Sequence, residues 1–156
     1  MTDVYRRVLG RAPERTQADR AVQRLAHADA VERRAWIIEL ARGEEAHVRA
    51  VARCDTHFLR RRGGPAEIDG WVKVLRSWRL DEVVVAFVCS AEYGLRSASE
   101  REWFEHASAD LCGAGCVMQM PNDGASRQVI AADMVRRPEC QRYLVAILYP
   151  ADAPGQ

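Results

Sequence analysis

The constraint that most limits the folds open to this chain is an internal period of 47 residues. Glu45, Glu92 and Glu139 are evenly spaced, since 92 − 45 = 139 − 92 = 47. At the same offset Trp36, Leu40 and Ala41 align with Val83, Phe87 and Val88, and then with Ile130, Met134 and Val135. A period of this size is the mark of repeated helical units, because one unit cannot bury its apolar face without a neighbour.

The middle copy holds the most apolar stretch, Val83 to Cys89. Taken alone it reads equally as a buried strand, and its three consecutive valines favour one. The aligned copies select the helix. Ala86 is replaced by Glu39 and Asp133, whereas Ile37, Leu40 and Ala41 match Val84, Phe87 and Val88. Apolar residues at i, i+3 and i+4 with a polar residue between them form the stripe of a half-buried helix. Asp81 is the expected N-cap of this helix and Ser90 that of the next.

The rest of the chain is punctuated in the same way. Gly10 ends a first helix carrying Tyr5, Val8 and Leu9. A second helix has Ala18, Ala21, Val22 and Leu25 on one side, and Asp29 caps a third. A long helix is predicted from Glu44 to Arg62 with Val48, Val51 and Phe58 inward, broken by Gly63-Gly64. Pro65 opens the next. The blocks Leu9–Leu25 and Leu59–Leu75 are in register at Asp19/Asp69 and Val22/Val72. Ser99 and Glu102 form a capping-box pattern. Gly113 to Gly124 stands where the third copy needs its first helix, so that copy is degenerate. Pro138 begins the last helix. The prediction is an all-α domain over 1–150, a compact bundle of about seven to nine helices. Its repeat-like segments are 4–45, 54–92 and 100–139, and 151–156 form a frayed tail.

Charge narrows the partners. The net charge of +1 argues against nucleic acid. Residues 1–62 hold 14 arginines against 9 acids, a net of +5, and the remainder 9 basic residues against 13 acids, a net of −4. No apolar run approaches the length of a membrane span, and the N-terminus reads as having no signal peptide. These features, with an odd count of five cysteines, predict a cytoplasmic protein whose Cys54, Cys89, Cys112, Cys116 and Cys140 are all free.

Three stretches carry a resemblance. Val4-Tyr5-Arg6-Arg7-Val8-Leu9-Gly10-Arg11, then Gly70-Trp71-Val72-Lys73-Val74-Leu75, then Phe87-Val88-Cys89-Ser90-Ala91-Glu92-Tyr93 resemble the opening, middle and close of a bacterial family, the domain of unknown function 4214, which is similar to the phycobilisome linker domain. The likeness spans most of 4–148. Gly43-Glu44-Glu45-Ala46 and Arg137-Pro138-Glu139-Cys140 are partial versions of the close. The resemblance implies an all-α module that links or scaffolds other proteins. It implies no chemistry.

The candidate chemistry is sparse. His106, Cys112, Cys116 and Cys140 compose a possible metal or thiol cluster, although structural zinc sites use tighter paired spacing. Cys54 and His57 share a helix face as a thiol–histidine pair, without a residue to orient the histidine. Arg60, Arg61 and Arg62 are a basic cluster, and Trp78 lies in the polar turn Arg76-Ser77-Trp78-Arg79. Tryptophan and arginine are the residues that most often anchor interfaces. The function read from the sequence is a non-catalytic interaction or scaffolding module, without catalytic residues, cofactor or metal. It binds another protein or itself through Arg60, Arg61, Arg62 and Trp78. The alternative is a small metal- or thiol-dependent regulatory domain built on His106, Cys112, Cys116 and Cys140.

Overall fold

A computed structural model of the chain describes residues 1–121 and 124–150. The described residues form ten helices and no strand. They are α1 (Thr2–Leu9), α2 (Arg15–Leu25), α3 (Ala30–Ala41), α4 (Glu44–Phe58), α5 (Pro65–Val74), α6 (Leu80–Val88), α7 (Ala91–Gly94), α8 (Glu100–Cys112), α9 (Arg127–Arg136) and α10 (Pro138–Leu148). The count exceeds the predicted seven to nine partly because Leu95 to Ser99 separates the single turn α7 from α8. Asn122, Asp123 and the expected tail at 151–156 lie outside the described residues.

The period is built into the helix starts. α4, α7 and α10 begin at residues 44, 91 and 138, each 47 after the last. Capping explains why the chain turns into helix at these places. Ser90 Oγ accepts from the Tyr93 N–H at the start of α7, and Pro138, which has no N–H to leave unpaired, opens α10. Within α3, Asp29 and Glu32 close a reciprocal capping box. Ser99 and Ser126 cap α8 and α9. Residues 113–121 and 124–126 are non-helical, in the place where a regular third copy would have its first helix.

The described residues group into two compact units, 1–50 with Tyr149 and Pro150, and 51–148. The sequence reading treats 1–150 as one domain. In the first unit Tyr5, Val8, Leu9, Ala21, Trp36 and Ala46 form the core, with Leu25 and Leu40 against it. The Tyr5 and Trp36 rings meet at 5.9 Å. In the second unit Phe58, Val83, Phe87, Trp103, Leu111 and Met134 are buried. There α6 packs on α9, and α8 packs on α9 and α10. Trp103 Nε1 donates to the Val88 carbonyl at 2.9 Å, so the deepest tryptophan leaves no polar atom unpaired.

Several local expectations are corrected. α4 stops at Phe58 and does not reach Arg62, because Arg60 takes a left-handed conformation with φ 57°. Arg79 holds the N-cap position of α6, and Asp81 sits inside its first turn. Val22, Ile37 and Val48 are exposed. Cys112 and Cys140 are joined by a disulfide with Cα atoms 4.0 Å apart, leaving Cys54, Cys89 and Cys116 free. The pairing spans 28 residues and follows from the packing of α8 on α10, which spacing along the chain does not reveal.

The core assignment has a direct test. Phe87 is buried and stacks on Trp71 with ring centroids 4.9 Å apart, whereas Ala86 is partly exposed. Phe87→Ala should destabilise by about 3–5 kcal/mol, and Ala86→Glu by far less. Chemical denaturation of the two variants distinguishes them.

Candidate functional site

Each unit is closed by one arginine that follows a left-handed helix exit. In the first, α1 ends in the left-handed Gly10 with φ 73°, and Arg11 follows. Arg11 donates from Nε and Nη2 to the two carboxylate oxygens of Glu45, at 2.6 and 2.8 Å. Its Nη1 donates to Gln17 Oε1 at 3.0 Å, and the same oxygen accepts from the Glu14 N–H. Gln17 is the third residue of α2 and Glu45 the second of α4. One guanidinium therefore ties a helix exit to the starts of two later helices.

The second unit repeats the arrangement 50 residues on, with Leu59, the left-handed Arg60 and Arg61 in place of Leu9, Gly10 and Arg11. Arg61 donates to both carboxylate oxygens of Glu67, at 2.9 and 2.6 Å. It also grips Glu92 with two donors, one of them at 2.8 Å, the other through Nε. Glu67 and Glu92 are the third residue of α5 and the second of α7. Planar guanidinium and carboxylate groups suit such paired bonds. Hydrogen bonds from Arg61 hold the Glu67 and Glu92 carboxyls below the usual carboxylate range. α8 also ends in a left-handed residue, Gly113, but Ala114 follows it, so no arginine comes directly after that exit.

The second clamp differs in one buried residue. Asp55 falls where the first unit has Tyr5, 50 residues earlier. Its side chain is fully buried, and neither carboxylate oxygen has a hydrogen-bond partner among the described residues. Arg61 Nη1 is 3.7 Å away. A Cβ added to Gly63 would lie 2.1 Å from Asp55 Oδ2, so only glycine lets the turn pass over this carboxylate. Burial, followed by the charge of Glu67, pushes the Asp55 carboxyl up to about 6 against the pull of Arg61.

A second buried acid, Asp110, organises the neighbouring side chains. It accepts from Arg60 Nη2 at 2.6 Å, from Tyr93 Oη at 2.9 Å and from Arg96 Nη1 at 3.0 Å. Burial and the Asp110 charge push the Tyr93 hydroxyl up. His57 Nε2 lies 2.8 Å from the Asp110 carbonyl oxygen. Burial also pushes the adjacent Cys54 thiol up, so it is held in the protonated form that neither attacks carbon nor binds metal.

The sequence-predicted residues therefore separate. Arg60 and Arg61 bind acids of their own fold. Arg62 and Trp78 are exposed, Trp78 at 49%. Of the thiol cluster, Cys112 and Cys140 are bonded to each other, and His106 Nδ1 lies 3.0 Å from Ser97 Oγ. Among the described residues no group of three or more His, Cys, Asp or Glu is placed to hold a metal ion. A concavity of about 380 Å³ along α10 is lined by Pro138, Gln141, Arg142 and Val145. Asp55 and Asp110 were missed by sequence reasoning. The available signal for Asp55 was its place on the same side of α4 as Val51 and Phe58. Comparisons with protein-family models, with curated proteins and with solved structures find no match for this chain.

Two predictions follow from the clamps. A carboxyl whose folded pKa is raised binds more protons in the native than in the unfolded state. Stability from Asp55 therefore grows as pH falls through about 6, and levels off below the unfolded value of 3.8. Glu67 and Glu92 act oppositely and lose their contribution below the ordinary carboxylate range. Stability should be highest near pH 5, with Asp55 accounting for on the order of 1 kcal/mol between pH 7.5 and that maximum. Asp55→Asn should flatten the rise when melting is followed against pH. Separately, Arg61→Ala should lower the melting temperature by several degrees, because it strands Asp55, Glu67 and Glu92 without their cation. Arg62→Ala should leave it nearly unchanged, and thermal melts of the pair decide the point.

Proposed function

We propose that the chain is a non-catalytic protein-interaction module of the linker or scaffold type. The observation that carries this reading is Trp78, a half-exposed tryptophan flanked by the exposed Arg76, Ser77 and Arg79. A half-exposed large aromatic with arginines close to it in the chain has the composition of an interface anchor, where flanking polar residues exclude solvent once a partner docks. Arg62, exposed after the left-handed Arg60, is proposed as a further contact residue, and Arg60 and Arg61 fix the turn that carries it.

The resemblance to the domain of unknown function 4214 family fits the same reading. The residues that carry it, Leu9-Gly10-Arg11 and Ser90-Ala91-Glu92-Tyr93, are clamp and cap residues, and Tyr93 bonds the buried Asp110. They support a shared architecture and no shared chemistry. A cytoplasmic setting belongs to the proposal. No helix among the described residues is long and apolar enough to cross a membrane.

Trp78→Ala, with Arg62→Ser as a companion, should abolish retention of the partner on immobilised protein while the helical circular dichroism and the melting temperature stay within about 2 °C of the parent, as for a surface change. Unchanged retention by both variants, read by mass spectrometry of the bound fraction, would place the interface elsewhere.

A further inference from the structure

Arg49, Arg96 and Tyr143 occupy one position of the 47-residue period, since 96 − 49 = 143 − 96 = 47. Each reaches the exit of an earlier helix. A Cβ added to Gly10, at the end of α1, would lie 0.9 Å from Arg49 Nη1, so this guanidinium fills the space a side chain would take there. Arg96 Nη1 donates to the carbonyl of Phe58, the last residue of α4, at 2.7 Å. Tyr143 stands over Gly113 at the end of α8, with Cε2 3.1 Å from the position of an added Cβ. A cation suits this place, because the last carbonyls form the negative end of a helix.

The two arginines differ in what neutralises them. Arg96 donates to the buried Asp110 at 3.0 Å and lies over the Tyr93 ring at 4.7 Å. The residue one period before Asp110 is Gly63, since 110 − 47 = 63, and glycine brings no carboxylate. Arg49 is half-buried, and its Nε is buried with no hydrogen-bond partner among the described residues. The charge of Glu45 acts on it, but both Glu45 carboxylate oxygens accept from Arg11. Burial outweighs that charge and pulls the Arg49 pKa down, as for a cation without an anion of its own.

We infer that Arg49, lying over the exit of α1, binds a carboxylate supplied by another molecule, in the role that Asp110 has at Arg96. The repeat itself names the chemistry of the ligand, because the group it sets against the equivalent guanidinium is a carboxylate. Guanidinium and carboxylate match as planar partners in paired charge-assisted bonds. None of these residues belongs to the surface proposed around Trp78, so the inference stands apart from that one.

Proton–nitrogen correlation spectra of the arginine Nε–Hε groups test it, with chloride exchanged for a probe anion at constant pH and ionic strength. Sodium acetate should shift the Arg49 signal along a saturating curve, while the signal of the exposed Arg62 stays fixed or drifts linearly. The peptide acetyl-Gly-Asp-Gly-amide should act like acetate, and its asparagine counterpart should not. A site that takes acetate and excludes the peptide serves a small free carboxylate, and one that takes both admits an acidic side chain. Bound acetate should also raise the melting temperature above that in chloride by mass action. Arg49→Lys, which keeps the charge and loses the fork, should lose most of that rise. The titration of the parent stands whether or not this variant folds. Absence of a saturating shift at Arg49 with both probes overturns the inference. So does tighter binding of inorganic phosphate than of acetate, or an equal response at Arg62.

Discussion

The structure depends on a guanidinium placed one residue after a left-handed helix exit. α1 leaves through Gly10 and α4 through Arg60, and in both cases the next residue is the arginine that reaches two later helix starts. Helix N-termini present free N–H groups and a positive end, so acids collect there. Glu45, Glu67 and Glu92 are such acids. Arg11 holds Glu45 together with Gln17, and Arg61 holds Glu67 together with Glu92, so each clamp ties a helix exit to two later helix starts with a single side chain. The loop geometry is set by the exit, the helix directions by the clamp, and the apolar residues then fill what lies between.

The two clamps are alike in position and unlike in charge. The first balances Arg11 against one carboxylate and a neutral amide. The second sets Arg61 against Glu67, Glu92 and the buried Asp55. Replacing the position of Tyr5 with Asp55 puts a carboxylate in an apolar interior without hydrogen-bond donors. Such a group is costly to ionise. Burial therefore raises its pKa, against the pull of Arg61. Asp110 shows the contrasting solution, a buried acid supplied with three donors from Arg60, Tyr93 and Arg96.

Much of the architecture was legible in the residues. The 47-residue period, the helical class and the caps at Asp29, Ser90 and Ser99 can all be read from periodicity and from side chains that bond the first free N–H groups. Burial within the stripe was less legible. Ile37, Leu40 and Ala41 have the spacing of a core face, yet spacing does not say whether a second helix lies against it, and Ile37 stays exposed. The arginines show a similar limit. A run of Arg60, Arg61 and Arg62 looks like one surface feature, but a left-handed residue at Arg60 turns successive side chains toward different acids. The Cys112–Cys140 bond depends on α8 meeting α10, a long-range contact that neither local propensity nor cysteine count encodes.

The central claim is that one arginine clamp holds each unit, and native-state hydrogen exchange of Arg11→Ala tests it most directly. Local stability in a protein is read by amide protection, segment by segment. The account predicts that amides of α1, α2 and α3 lose protection, while those of α6 and α9 keep theirs. Unchanged protection in α1 to α3, or an equal loss throughout the chain, would contradict it.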